Sequence, residues 1–214
     1  MFSKISINRF VKTLIASDFF LFFAVGLLAP IYAVFVLENI TDRIEVIGYA
    51  VSFYWITRVI LVIPFSVIMD KIKGEFDEYS FMIAGTALIS IIPLFYIIAS
   101  EPWHIYLLQI LNGAANAMAV PAWRIVFTKH IDRKITGFEW SLEDVGVGLA
   151  TASSAALGAI IASKFGFSIL FVFVFVFGAI STAILFALRG KKKIIMELAK
   201  DASDKGPIKI DTIK

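Results

Sequence analysis

The stretch VIMDKIKGEFDEYSF, Val67–Phe81, places a charged cluster with one glycine between two long apolar segments. The charges are carried by Asp70, Lys71, Lys73, Glu75, Asp77 and Glu78. Charged side chains are costly inside a bilayer, and membrane helices need about 20 mostly apolar residues. The cluster is therefore predicted to be a turn between two membrane-spanning helices.

The composition is that of a membrane protein. Of the 214 residues, 59% are hydrophobic and 17% are charged, and the mean hydropathy is +0.87. The apolar residues form long unbroken runs, which excludes a single soluble core. The chain has no cysteine and two histidines, so we predict no metal site and no cofactor. It carries no nucleotide-binding, metalloprotease or hydrolase motif, so we expect no catalytic residue and no enzyme.

Six segments are long enough to span a membrane. They cover about residues 11–37, 46–69, 79–99, 103–127, 142–164 and 167–188. The predicted fold is an all-α, polytopic integral membrane protein with an N-terminal segment (1–10), a six-helix domain (11–188) and a basic tail (189–214). The sixth segment carries bulky aromatic side chains on all faces, which predicts broad contact with lipid.

Lysine and arginine predict the orientation. Twelve lie at the N-terminus, after the second and fourth segments and at the start of the tail, against two, Arg43 and Lys164, on the other side. Short loops rich in these residues stay in the cytoplasm. We therefore expect a protein of the cytoplasmic membrane with both termini in the cytoplasm. The basic residues lie in loops and at the ends, which favours a lipid bilayer and not nucleic acid as the partner.

Arg58 is the clearest charged residue inside a predicted span. It lies about twelve residues from either end of the second segment, too deep for its side chain to reach the membrane surface easily. It shares a helix face with Trp55, so we predict that both lie near a solute path. A structural ion pair between helices is the alternative. Asp18 in the first segment could accept a proton, pair with a cation or neutralise Arg58.

The fourth segment carries a polar stripe. Gln109, Asn112 and Asn116 fall on one helix face, and such a stripe lines a cavity or forms a hydrogen-bonded seam between helices. We favour the cavity. Arg124 lies near the inner end of this segment, where its side chain can extend to the surface. In FEWSLEDVG, at the start of the fifth segment, Ser141 and Asp144 have capping-box spacing.

The opening stretch resembles the signature that the major facilitator superfamily carries between its second and third helices. Asp70–Lys71 matches its acidic–basic core, and Lys73–Gly74 matches the start of its glycine–basic cluster. Ser66 stands in place of the leading glycine and Glu75 in place of the terminal basic residues. Three further stretches are similar to the family's first, fourth and fifth helices: DFFLFFAVGLLAPIYAVF, LLQILNGAANAMAVPAWRIVFT and SSAALGAIIASKFGFSILF. Ser154 and Ala155 replace the Gly–Pro of the antiporter motif, so antiport is not expected.

The resemblance covers about residues 10–190 and implies one six-helix half of a twelve-helix transporter, built as a 3+3 inverted repeat. It implies that Asp70, Lys71 and Gly74 form a cytoplasmic gating motif, whose carboxylate meets a helix start in the other half. With the small residues of the fifth segment, which permit close packing in lipid, it predicts helix-packing positions at Gly26, Pro30, Gly113, Pro121, Gly148 and Gly158.

A six-helix half is expected to pair with a second copy of itself or with a different half. In a homodimer Asp70 would approach Ser141 of the partner, near Glu139, Glu143 and Asp144, whose charges would repel it. A different half would remove that repulsion. The first hypothesis for function is alternating-access transport of a small solute of unknown identity. The alternative is a non-transporting accessory or interaction subunit of the membrane.

Overall fold

Six long helices account for the apolar segments, because in lipid each backbone amide and carbonyl must find its partner within its own helix. The computed structural model describes residues 7–71 and 76–204, with side chains for all of these except Phe76 and 191–204. Each helix is long and apolar enough to cross a membrane, which confirms the predicted fold class. The six are α1 (Arg9–Asn39), α2 (Glu45–Lys71), α3 (Phe76–Phe95, then a 3-10 turn Tyr96–Ile98), α4 (Pro102–His130), α5 (Thr136–Phe165) and α6 (Phe167–Asp204).

Two helix boundaries differ from the predicted segments by more than three residues. The fifth helix begins at Thr136, so Ser141 lies inside it and donates a hydrogen bond to the carbonyl of Gly137 at 2.8 Å. The prediction of a capping box at Ser141 and Asp144 is therefore wrong. The sixth helix continues without a break to Asp204, so the basic tail is helical at least that far.

Proline and glycine mark the breaks between helical pieces. The first helix is interrupted by a 3-10 turn, Ala29–Ile31, because Pro30 has no backbone N–H to donate and its ring crowds the preceding turn. The turn between α5 and α6 is made by Gly166, whose φ of 85° lies in the left-handed region that glycine adopts without strain. This tight turn makes α5 and α6 antiparallel neighbours.

The packing follows a two-fold pattern. Helix α1 packs mainly on α5 and α6, α4 packs mainly on α2 and α3, and α3 and α6 pack on each other. Exchanging α1–α3 with α4–α6 leaves these pairings unchanged. That is the pattern of two three-helix repeats, and since each repeat has an odd number of crossings, the second is inverted relative to the first.

Glycines allow the closest helix crossings. A Cβ on Gly158 of α5 would meet the backbone of Leu27 in α1, and a Cβ on Gly113 of α4 would meet the carbonyl oxygen of Tyr54 in α2. Gly26 faces the buried Ser154 in the same α1–α5 crossing. These three predicted packing positions lie where two backbones approach each other, so a side chain has no room there.

The other predicted packing positions lie elsewhere. Gly148 has no atom of the described residues within 4 Å of the place its Cβ would occupy, so it makes no packing contact with that part of the chain. Pro30 is exposed, and its effect is the break in α1. Pro121 is half-buried inside α4 and shapes that helix by leaving a carbonyl of the preceding turn without its usual donor.

Apolar clusters close the bundle at both ends. One groups Phe35, Tyr96 and Phe171 on the side of the α3–α4 loop, and another groups Leu14, Phe127 and Leu185 on the side of the chain termini. Helix α6 contributes one stripe to the core, with Leu170 and Phe171 almost fully buried while Phe173 is exposed. The expectation that α6 meets lipid broadly is therefore wrong for that stripe, which packs against α1 and α3.

Gly158 and Gly148 provide a matched pair of tests in one helix. Gly158→Ala is expected to destabilise the protein by about 1–3 kcal/mol, because the added methyl group forces α1 and α5 apart. Gly148→Ala is expected to be neutral or stabilising by up to about 1 kcal/mol, because alanine favours a helix over glycine where there is room. Thermal unfolding in detergent, followed by tryptophan fluorescence, measures both. Equal effects at the two positions would contradict the close α1–α5 crossing.

Candidate functional site

A cavity of about 610 Å³ lies between the two apolar ends and is lined by residues of all six helices. Its walls carry a small set of charged and amide side chains on a mainly apolar surface, which is typical of small-molecule sites. Five of the residues predicted along a solute path lie in this lining: Asp18, Arg58, Gln109, Asn112 and Asn116.

Trp55 is the predicted path residue that does not line the cavity. Its side chain is 51% exposed, on the outside of α2. The lining positions of α2 are Tyr54 and Arg58, four residues apart and thus nearly in line along the helix. Trp55 is rotated away from that line, and its ring contacts the guanidinium of Arg58 and packs edge-on against Tyr54.

The polar stripe of α4 faces the cavity. The side-chain amide of Asn116 donates to the carbonyl oxygen of Asn112, 3.0 Å away, and to its side-chain oxygen, 3.1 Å away. Both partners belong to α4, so these two asparagines form no hydrogen-bonded seam to another helix. Gln109 is buried deeper and lies beside Tyr32 of α1. Tyr32 and Tyr96 also line the cavity.

Arg58 is held by aromatic side chains. Its guanidinium carbon lies 5.0 Å from the centre of the Trp55 ring, within the range of a cation–π interaction, and beside the hydroxyl of Tyr54. The ion pairs among the described residues are Arg43–Glu45 and Lys129–Glu78. Within that part of the chain, therefore, no carboxylate oxygen lies within 4.0 Å of the Arg58 guanidinium. The alternatives of a buried ion pair at Arg58 and of neutralisation by Asp18 are thus not realised in this conformation.

Asp18 faces an acid. Its carboxyl group and that of Glu143 approach each other closely enough to share a hydrogen bond between α1 and α5, and Asp18 is only 8% exposed. Asp18 and Glu143 therefore form a contact between two acidic side chains across the α1–α5 crossing. Glu143 was not predicted as a site residue because its segment was expected to begin at 142. With α5 beginning at Thr136, Glu143 lies two turns inside the helix.

A second arginine and two tryptophans complete one end of the cavity. Arg124 is exposed, as expected for a side chain that extends toward the surface, but it also lines the cavity. Trp123 and Trp140 line the same region, and both pack on Phe127, at ring-centre distances of 4.6 and 4.7 Å. These aromatic residues were missed because the apolar periodicity of a membrane helix does not distinguish a cavity wall from a core.

The charged cluster between α2 and α3 divides into two parts. Asp70 and Lys71 end α2 and are exposed, while Gly74 lies outside the described residues. Asp77 and Glu78 begin α3 and are buried, and Glu78 forms an ion pair of 2.6 Å with Lys129 at the end of α4. Glu78, which was predicted to lie in the turn, thus forms a tertiary contact that joins α3 to α4. Across the described residues, no cluster of three metal-binding side chains is present.

An inverted-repeat bundle around a polar cavity within the membrane is the architecture of half a secondary transporter. Comparison with known proteins agrees. The model of the Major Facilitator Superfamily matches residues 14–208, so the chain belongs to this family of membrane transporters.

A curated relative and a solved structure show how much of such a transporter the chain represents. It is 28% identical over 172 residues to the multidrug resistance protein MdtG of Dickeya zeae (strain Ech586), across 77% of this chain and 39% of that protein. The fold matches PepTSo, a POT family transporter, with a TM-score of 0.73 and 13% identity, across 87% of this chain and 38% of that one. The chain thus spans about two-fifths of the length of each.

The contact between Asp18 and Glu143 can be tested by its chemistry. Glu143→Gln is expected to change the free energy of unfolding little, because the amide keeps a hydrogen-bonding group of the same shape beside Asp18. Glu143→Ala is expected to destabilise by about 1–3 kcal/mol, because it leaves Asp18 buried without that hydrogen bond. Thermal unfolding in detergent measures both, with the exposed neighbour Asp144→Ala as the control. If glutamine costs as much as alanine, the two side chains do not share a hydrogen bond.

Proposed function

We propose that the protein moves a small organic solute across the membrane by alternating access, after assembling with a second six-helix half. The observation that supports this most is the charged, amide-lined cavity near the middle of the bundle. Ionisable residues at this depth are expensive and face a cavity or a protein partner, not lipid. Arg58 is partly exposed and Arg124 is exposed, so the described residues leave the cavity open on one side.

A second half is the proposed cover for that open side. Lipid can solvate the apolar outer surface of α2, but it cannot solvate a guanidinium or a row of amides. Helix α2 packs mainly on α4 alone and presents a row of exposed apolar residues that includes Ile56, Val59 and Ile63. The two halves of full-length transporters of this family are parallel repeats about an axis normal to the membrane. A second copy in the same orientation can reproduce that arrangement.

The structure weakens the electrostatic objection to a homodimer. Of the three acids near the start of α5, Glu139 is fully buried and accepts a hydrogen bond from the backbone N–H of Asp132 at 2.8 Å. Glu143 faces Asp18, and Asp144 is the exposed member. An approaching Asp70 would thus meet one exposed carboxylate instead of three. We therefore favour a second copy over a different half as the partner.

The relatives support an organic solute as the substrate. The curated relative is named as a multidrug resistance protein and the structural one as a transporter of the POT family. The cavity volume of about 610 Å³ suits a drug-sized molecule. We further propose that both termini lie in the cytoplasm, because the basic residues concentrate on their side of the membrane. The gating role of Asp70, Lys71 and Gly74 remains part of the same proposal.

The homodimer predicts one cross-link. The chain has no cysteine, so cysteines introduced as Asp70→Cys in one tagged copy and Ser141→Cys in another are the only ones present. Oxidation of membranes that contain both copies is expected to join them, because Asp70 lies at the start of the partner's α5. Asp70→Cys with Lys164→Cys, at the opposite membrane side, is the control and should not react. A particle that contains a single copy and no other membrane protein would contradict the assembly.

Transport predicts a requirement for Arg58. Uptake of radiolabelled organic anions, organic cations and sugars into proteoliposomes identifies a solute that the wild-type protein moves. Arg58→Ala is expected to reduce that uptake by about tenfold or more, because a charged contact within the cavity is lost. Arg43→Ala, in an exposed loop, is the control. If the assembled protein moves none of the solutes, a non-transporting accessory subunit becomes the better explanation.

A further inference from the structure

We propose that the cavity binds an amphipathic organic anion and that Arg58 holds its acidic group. This inference rests on the proposed function, because it names the class of substrate for the same cavity. It depends on which charges in the cavity are neutralised by other residues of the chain and which are left for a ligand.

Arg58 lies at the depth where a charge most needs a partner. It is thirteen residues from both Glu45 and Lys71, the ends of α2. At about 1.5 Å per residue, this is roughly 20 Å of helix in either direction, more than an arginine side chain can span. No carboxylate of the described residues lies within 4.0 Å of its guanidinium, so its positive charge is not neutralised by an ion pair.

Apart from the hydroxyl of Tyr54, which lies beside the guanidinium, the aromatic neighbours leave the donors of Arg58 available. The Trp55 ring lies 5.0 Å from the guanidinium carbon and stabilises the cation through its π face. A guanidinium has five N–H donors in a planar fork, and an aromatic face satisfies none of them fully. A carboxylate or sulfonate can accept two of these N–H groups at once, which a hydroxyl or an ammonium group cannot do.

The acids of the cavity do not pair with Arg58. The charged side chains in the lining are Asp18, Glu143, Arg58 and Arg124. Asp18 and Glu143 contact each other across the α1–α5 crossing. Among the described residues, neither acid lies within 4.0 Å of an arginine of the lining. An anionic ligand can therefore pair with Arg58 directly, whereas an organic cation would place a second positive charge beside it.

The rest of the lining selects an apolar body for the ligand. Phe22, Val25, Ile89 and Pro93 line the cavity with the aromatic residues Tyr54 and Trp140. This surface favours an aromatic or aliphatic group of moderate size by burial, at about 25 cal/mol per Å². A small inorganic anion would leave it in contact with water. The combination therefore favours an amphipathic anion over phosphate or chloride.

Three probes with one skeleton test the charge preference. 3-Phenylpropionate, 3-phenylpropanol and 3-phenylpropylammonium differ chiefly in the charge of the head group. With the full chain in phosphatidylcholine nanodiscs, radiolabelled 3-phenylpropionate is expected to bind saturably, and the alcohol and the ammonium to compete about tenfold or more weakly. Equal or tighter competition by the ammonium compound, or no saturable binding of the carboxylate, would overturn the proposal.

Variants assign the preference to Arg58. Arg58→Gln is expected to weaken carboxylate binding by about tenfold or more, to a level like that of the alcohol, and Arg58→Lys to retain part of the affinity. Arg43→Gln is the control and should bind as the wild-type protein does. If Arg58→Gln binds carboxylate normally, Arg58 does not hold the acid. If that variant does not fold, the three-probe comparison on the wild-type protein still decides the charge class.

The lipid composition and a parallel uptake assay separate this inference from its alternatives. Nanodiscs with phosphatidylglycerol should give the same dissociation constant, whereas a rise of about tenfold would show that an anionic lipid head group is the occupant and would overturn a soluble anion. Saturable, Arg58-dependent binding without uptake would contradict the transport proposal and leave the binding site intact. Uptake with a preference for the ammonium compound would support the transport proposal and contradict an anion as the substrate.

Discussion

The lack of hydrogen-bonding partners in lipid is the constraint on which this structure depends. It forces each apolar segment to be a helix, and it makes any charged side chain within the bundle face protein or water. The six helices meet the first requirement by their own backbone hydrogen bonds. The second is met within the chain for Asp18 and Glu143, which contact each other, but not for Arg58, whose charge meets only aromatic neighbours. The unmet requirement of Arg58 is the feature on which the proposed ligand binding and the proposed second half depend.

The inverted repeat positions this cavity. The same relation that packs α1 on α5 packs α4 on α2, and at both crossings a glycine, Gly158 or Gly113, lets the backbones approach. The polar faces of α1 and α4 thus come together at the centre, while apolar clusters close the two ends. The ion pair of Glu78 with Lys129 joins α3 and α4 on the side of the termini. The close contacts therefore lie at the crossings and the ends, and the open side of the cavity is where we propose that a partner or ligand contributes.

Sequence reasoning found five of the seven charged and amide residues that line the site, because their cost in a membrane helix makes them conspicuous. It found Asp18, Arg58 and the α4 stripe in this way. It missed Tyr32 and Tyr54, because aromatic residues occur in cores, on lipid-facing surfaces and in cavity walls alike. It placed Trp55 on the cavity face because a spacing of three residues was taken to put it on the same face as Arg58. In the folded helix the spacing of four, Tyr54 to Arg58, follows the wall more closely.

The sequence by itself determined the class of the fold, the number of membrane helices and two of the four charged residues that line the cavity, Asp18 and Arg58, because hydropathy and the cost of burying charge act locally along the chain. Only the tertiary structure decided which charges meet. It paired Asp18 with Glu143 and not with Arg58, and it buried Glu139 inside the start of α5. Contacts between helices depend on where the helices cross and on how each is rotated about its axis. Both are set by packing between segments that are far apart in the sequence. A difference of nearly two turns in where α5 begins was enough to hide the partner of Asp18.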